Sequence, residues 1–212
     1  AEGRRRVDVA FCSLLGNEDG WTEFASNMLE QGPVPVADKK RAADALGRVV
    51  TGRAGASAVP FIRQVFLYRS AGEFAAAAKA NDRAMYEMSR GDGVFFPDAA
   101  RYLKVPALSA ADRALAALSA GNVKDAAAGA RTHFALVGED VGTAIRMVPL
   151  FDAAGATAEA DAVYRLAREP LAAVLRDHPD AAVYHNDLAW QAANCRRELD
   201  DALTHARRAT AL

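Results

Sequence analysis

Residues 107–140 read ALSAADRALAALSAGNVKDAAAGARTHFALVGED, and residues 141–174 read VGTAIRMVPLFDAAGATAEADAVYRLAREPLAAV. Laid over one another, the two blocks of 34 place a glycine at the same fifteenth position, Gly121 and Gly155. They also share an alanine at the twentieth, Ala126 and Ala160. On either side of each glycine, apolar residues recur at three- and four-residue spacing, which puts them on one face of a helix. A 34-residue period with a glycine turn between helical halves marks a helix–turn–helix repeat, whose units bury their apolar faces against one another. The fold class expected is therefore all-α.

The rhythm extends outward. Counting Gly72 as a fifteenth position puts Ala77 at the twentieth and Ala84 at the twenty-seventh. A helix holding Phe61, Ile62, Val65, Phe66 and Tyr68 precedes that glycine. Ser57 is its expected N-cap, Pro60 lies in its first turn, and a helix over 74–88 follows. Upstream, helices are expected over 7–15, from Trp21 through Leu29, and over about 37–50. The last of these should turn Ala42, Ala45, Leu46 and Val49 inward and Lys39, Lys40, Arg41 and Asp44 outward.

Residues 91–106 (GDGVFFPDAARYLKVP) break the rhythm and read as an insertion carrying Phe95, Phe96 and Tyr102. Ser109 with Asp112 resembles a capping box for the helix that follows. Gly138 is read as a left-handed helix stop. Pro149 and Pro170 fall inside helical patterns that continue past them, so kinks rather than breaks are expected. After His178-Pro179-Asp180, one helix turns Tyr184, Leu188 and Ala192 inward. The next turns Leu199, Ala202, Leu203, Ala206, Ala209 and Leu212 inward.

Composition agrees with helices. Fifty of 212 residues are alanine against 8% aromatics, and alanine is the best helix former. A formal net charge of −1, from 26 basic and 27 acidic residues, gives no field that would select nucleic acid or a membrane surface. No apolar run is long enough to span a bilayer, and no charged-then-apolar leader is read within this chain; one would lie outside it. A soluble chain is the expectation, with the compartment left open and the cytoplasm favoured, and the apolar Leu212 suggests an excerpt of something longer. Cys12 and Cys195 fit two buried thiols or one bridge, with buried thiols expected.

At this point the residues resemble a family, the tetratricopeptide repeat, in its bacterial form. That motif has small residues at its eighth, twentieth and twenty-seventh places and bulky ones near the fourth, seventh, eleventh and twenty-fourth. In 141–174 these places hold Val148, Ala160 and Ala167, then Ala144, Met147, Phe151 and Tyr164. In 107–140 the match is looser, with His133 at a small place. Leu188-Ala189 matches the seventh and eighth places of a last unit, 181–212. Its second helix begins after a slightly longer turn. The division is thus 1–56, a weak match, and 57–212, with repeats at 57–91, 107–140, 141–174 and 181–212 around an insertion at 92–106. The resemblance implies an α-α superhelix (solenoid) of about five hairpins whose concave face binds a peptide or partner protein. Arginine outnumbers lysine 21 to 5, which with the alanine suggests a GC-rich bacterial source.

If Leu188 is the seventh place, the groove-facing places of its helix are Asn186, Trp190 and Asn194. Asparagine can pair with an extended peptide backbone through both donor and acceptor, and tryptophan offers a large apolar surface. The function expected is a non-enzymatic protein–protein interaction scaffold. The alternative is a ligand-sensing or regulatory domain of a larger bacterial enzyme or signalling protein, with the aromatic insertion as a pocket wall. No catalytic residue, metal site or cofactor is implied. His133, His178, His185 and His205 lack metal-ligand spacing and read as surface or half-buried. Pairs such as Glu139–Asp140 and Asp200–Asp201 read as solvated carboxylates at turns. The sequence leaves the oligomeric state open.

Overall fold

Segments with apolar residues at helical spacing close into helices among the described residues, and a left-handed glycine sets three of the turns between them. The computed structural model describes residues 35–50, 59–90 and 104–212. The readings on 7–29, Cys12, Ser57 and the insertion aromatics Phe95, Phe96 and Tyr102 lie outside the described residues. Among the described residues the chain forms nine helices and no strand: α1 (Val36–Val50), α2 (Val59–Ser70), α3 (Phe74–Arg90), α4 (Val105–Ser119), α5 (Val123–Leu136), α6 (Val141–Ala153), α7 (Thr157–Asp177), α8 (Ala182–Cys195) and α9 (Leu199–Ala211). The chain divides into two compact units after Arg113, inside α4.

In the first unit, α2 packs against both α1 and α3. A helix covered on two sides must be apolar on both. Phe61, Ile62, Val65, Leu67 and Tyr68 are all buried, and so are Arg63 and Gln64. Ala42 and Ala43 of α1 and Ala77 and Ala80 of α3 complete this core. Gln64 Nε2 donates to the Ala43 carbonyl at 3.0 Å, and a side chain at Gly47 would run into that amide. Lys39 is buried rather than outward-facing. Its place explains this, because 39, 42, 43 and 46 form one i, i+3, i+4, i+7 stripe, and a lysine stem can lie along such a face.

The capping-box reading of Ser109 and Asp112 is wrong. The helix α4 begins at Val105, so Val105 and Pro106 belong to it rather than to the insertion, and both polar residues sit inside it. Asp112, fully buried, pairs with Arg69 and accepts from Asn81 Nδ2 at 2.7 Å. Ser109 Oγ donates to Asp82 at 3.0 Å, and Arg113 meets the same carboxylate at 2.6 Å. These polar groups tie α4 to α2 and α3.

In the second unit α6 packs on α7, α7 on α8 and α8 on α9. Next-but-one helices also touch, α6 against α8 and α5 against α7. Val141, Leu171 and Leu188 form its apolar centre, with Ile145, Leu175 and Tyr184 alongside.

Three turns repeat one geometry. Gly72, Gly121 and Gly155 have φ of +77°, +74° and +73°, where an L side chain is strained. The residue after each, Glu73, Asn122 or Ala156, donates its N–H to the carbonyl five positions back at 2.8–2.9 Å, which closes the helix end. Five residues past each glycine, Ala77, Ala126 and Ala160 are fully buried.

Both α6 and α7 run unbroken through Pro149 and Pro170. Gly138 is not among the positive-φ glycines, so the reading of it as a left-handed stop is corrected. Its backbone approaches Pro170 closely: a Cβ there would lie 2.9 Å from the ring's Cγ. One further expectation fails on α9, where only Ala202 is buried and Ala209 partly so. Leu199, Leu203, Ala206 and Leu212 are exposed. The face of α9 that packs on α8 runs through 202, 205 and 209, and the leucines lie to one side of it.

Candidate functional site

The helix α8 is fixed on its inner side before its outer side can be considered. Leu188, Ala189, Ala192 and Cys195 are buried there. Gln191, fully buried, donates from Nε2 to the Tyr164 carbonyl of α7 at 3.1 Å, while its Oε1 has no partner among the described residues. A buried amide tied to a neighbouring backbone fixes the rotation of α8 about its own axis.

The turn after α8 adds a second lock. Arg196 and Glu198 both adopt left-handed backbone, φ +54° and +47°. Arg197 between them sends Nη1 and Nη2 to the two oxygens of Asp152 at 2.8 and 2.9 Å, and Nε to Asp161 at 2.8 Å. This fork joins the turn to α6 and α7. Asp152 lies at the end of α6, and the Arg197 guanidinium holds its carboxyl below the usual range. Glu198 accepts from the Tyr164 hydroxyl at 3.0 Å and meets Arg168 Nε at 2.6 Å.

With α8 held this way, Asn186, Trp190 and Asn194 lie one above another at four-residue spacing, and all three are exposed. Trp190 is 53% exposed, and Val183 on the same side is 69% exposed. Asn194 Nδ2 donates to the Trp190 carbonyl at 2.8 Å, which sets its amide plane and leaves its Oδ1 outward. All three predicted residues therefore share one open face. Among the described residues no side-chain hydrogen bond orients Asn186.

No family model matches this chain, and no curated protein or solved structure shows significant similarity to it.

Several polar arrangements were not legible from spacing. His133 is fully buried in α5, edge-on to Phe134 at 4.8 Å, and its Nε2 lies 3.2 Å from Asp140 Oδ2. Asp140 is correspondingly not a free carboxylate at a turn. It caps α6, accepting from Thr143 N at 3.0 Å and Thr143 Oγ1 at 2.7 Å. Burial pushes its pKa up, but the His133 and Thr143 bonds outweigh that and hold it well below the usual carboxylate range. His185 and His205, on α8 and α9, face each other Nδ1 to Nδ1 at 2.7 Å. Their separation of twenty residues carries no motif. Among the described residues no group of three or more His, Cys, Asp or Glu side chains is placed to hold a metal ion. Cys195 carries a free, buried thiol, pushed up to about 11 by burial. Among the described residues no helix is long and apolar enough to cross a membrane.

Proposed function

We propose that the chain is a non-enzymatic interaction module of the tetratricopeptide type, an α-α superhelix that takes a peptide or partner protein along the face carrying Asn186, Trp190 and Asn194. The three equivalent glycine turns, the buried alanines five residues beyond them and the contacts of α6 with α8 support the repeat reading. Trp190 carries the site. It is a tryptophan more than half exposed on a helix whose rotation is locked from behind, so its indole is presented at little ordering cost. The flanking asparagines supply the donor and acceptor pairs an extended backbone requires.

Panning a random peptide library on the intact chain tests this, followed by fluorescence titration in a Trp21→Phe background so that Trp190 alone reports. Enriched peptides should shift the Trp190 emission. Their affinity should fall about 30-fold or more in Trp190→Ala and further with Asn194→Ala, at unchanged helical circular dichroism. Peptides that bind the double variant equally well would move the site off α8.

A further inference from the structure

The helix α9 leaves a second face uncovered. Leu199 and Leu203 are 58% and 51% exposed, and Ala206 and Thr210 continue the same line in the open. The spacing 199, 203, 206, 210 runs four, three, four, the seam of a two-stranded coiled coil. On one side of the seam Ala202, His205 and Ala209 turn toward α8. On the other, outward side stand Asp200 and Arg207, seven residues apart, both exposed.

Seven residues is two turns, so this flank carries an acid at one end and a base at the other. Two copies of α9 laid antiparallel about a two-fold axis set Leu203 against Ala206 of the second copy and Leu199 against Thr210 of the second copy. The outward flanks then bring Asp200 of each copy beside Arg207 of the other, twice per dimer. A parallel pairing would instead turn the outward flank of each copy toward the flank of the other that carries Ala202, His205 and Ala209 and packs on α8, leaving Asp200 and Arg207 without each other. Small residues at 206 and 210 let the backbones approach closely.

We propose that this face is a self-association surface, and that two copies of the chain pair through antiparallel α9 helices with reciprocal Asp200–Arg207 contacts. The seam is about 17 Å long at 1.5 Å per residue, which places the buried area at the low end for specific interfaces and makes the dimer weak and concentration-dependent. It does not involve the Trp190 face, so its success or failure is separate from the reading of peptide binding.

Sedimentation equilibrium from micromolar to near-millimolar chain is the test. The mass should rise from 22.5 kDa toward twice that value with concentration, and less steeply at high salt. Leu203→Asp, at an exposed position that leaves the helix folded, should remove the rise. Arg207→Asp should weaken association at least tenfold, since it sets acid against acid at both ends. Asp200→Arg combined with Arg207→Asp should restore it. An acid early and a base late in a helix also suit the helix macrodipole, but the exchanged pair opposes the dipole, so rescue can come only from the pairing. A chain that stays monomeric throughout, a dimer indifferent to Leu203→Asp, or an exchange without rescue would each overturn the proposal.

Discussion

The contact between His185 and His205 has a proton count fixed by its neighbours. The Pro179 carbonyl, 3.1 Å from His185 Nε2, can only accept, so that nitrogen carries hydrogen. A neutral His185 then offers a lone pair at Nδ1, and His205 donates to it. The pair holds one charge comfortably and two only by pointing N–H at N–H. Burial lowers the His205 pKa first, then the charges of His185 and Arg168, with Asp201 and Glu198 pulling the other way. A histidine whose folded pKa is depressed stabilises fully above its unfolded value of about 6.5, and that stability is lost as pH falls through the lowered folded value. The urea midpoint should therefore drop between pH 7.5 and 5.5, and drop less in His205→Gln. An equal drop in both would assign the titration to another group.

Turns are where the elements differ most in stored strain. Gly72, Gly121 and Gly155 accept left-handed backbone freely, but the turn from α8 to α9 puts Arg196 at the equivalent place, exposed and without a glycine's freedom. Arg196→Gly should stabilise the chain by about 0.5–1 kcal/mol, the relief of left-handed strain less the entropy a glycine adds to the unfolded chain. Gly155→Ala should cost about 1 kcal/mol, and urea midpoints read both. The glycine turns were legible because φ > 0 leaves a residue-type signature at a fixed period. The α8–α9 turn was legible only in its length, since nothing local marks a left-handed arginine held by a clamp on Asp152 and Asp161. The helix after Gly72, read as 74–88, followed from periodicity and runs Phe74–Arg90. The roles of Ser109, Asp112 and Gly138 did not, because each is set by a partner on another helix (Asp82, Arg69, Pro170). The Asn186–Trp190–Asn194 face could be read, since an i, i+4, i+8 line depends on one helix alone. The outward leucines of α9 were misread because an apolar stripe does not say on which side of the helix its neighbour packs.

At the scale of the whole molecule, the described residues hold an apolar cluster in each of two compact units. Leucine, valine and tyrosine contacts of the second unit run between α6, α7 and α8, and those of the first between α1, α2 and α3. A fold built this way opens piecewise, and the pieces need a reporter. The thiol of Cys195 supplies one. It sits at the end of α8 beneath the Arg197 clamp, and burial keeps it protonated at neutral pH. In a Cys12→Ser background, a disulfide-exchange reagent at pH 8 should modify Cys195 about two orders of magnitude more slowly than an unfolded thiol. Arg197→Ala should speed that reaction by loosening the end of α8, while Trp190→Ala on the outer face should leave it unchanged. Unequal effects of that kind would make a single sulfur atom a stopwatch for how often this part of the chain comes apart.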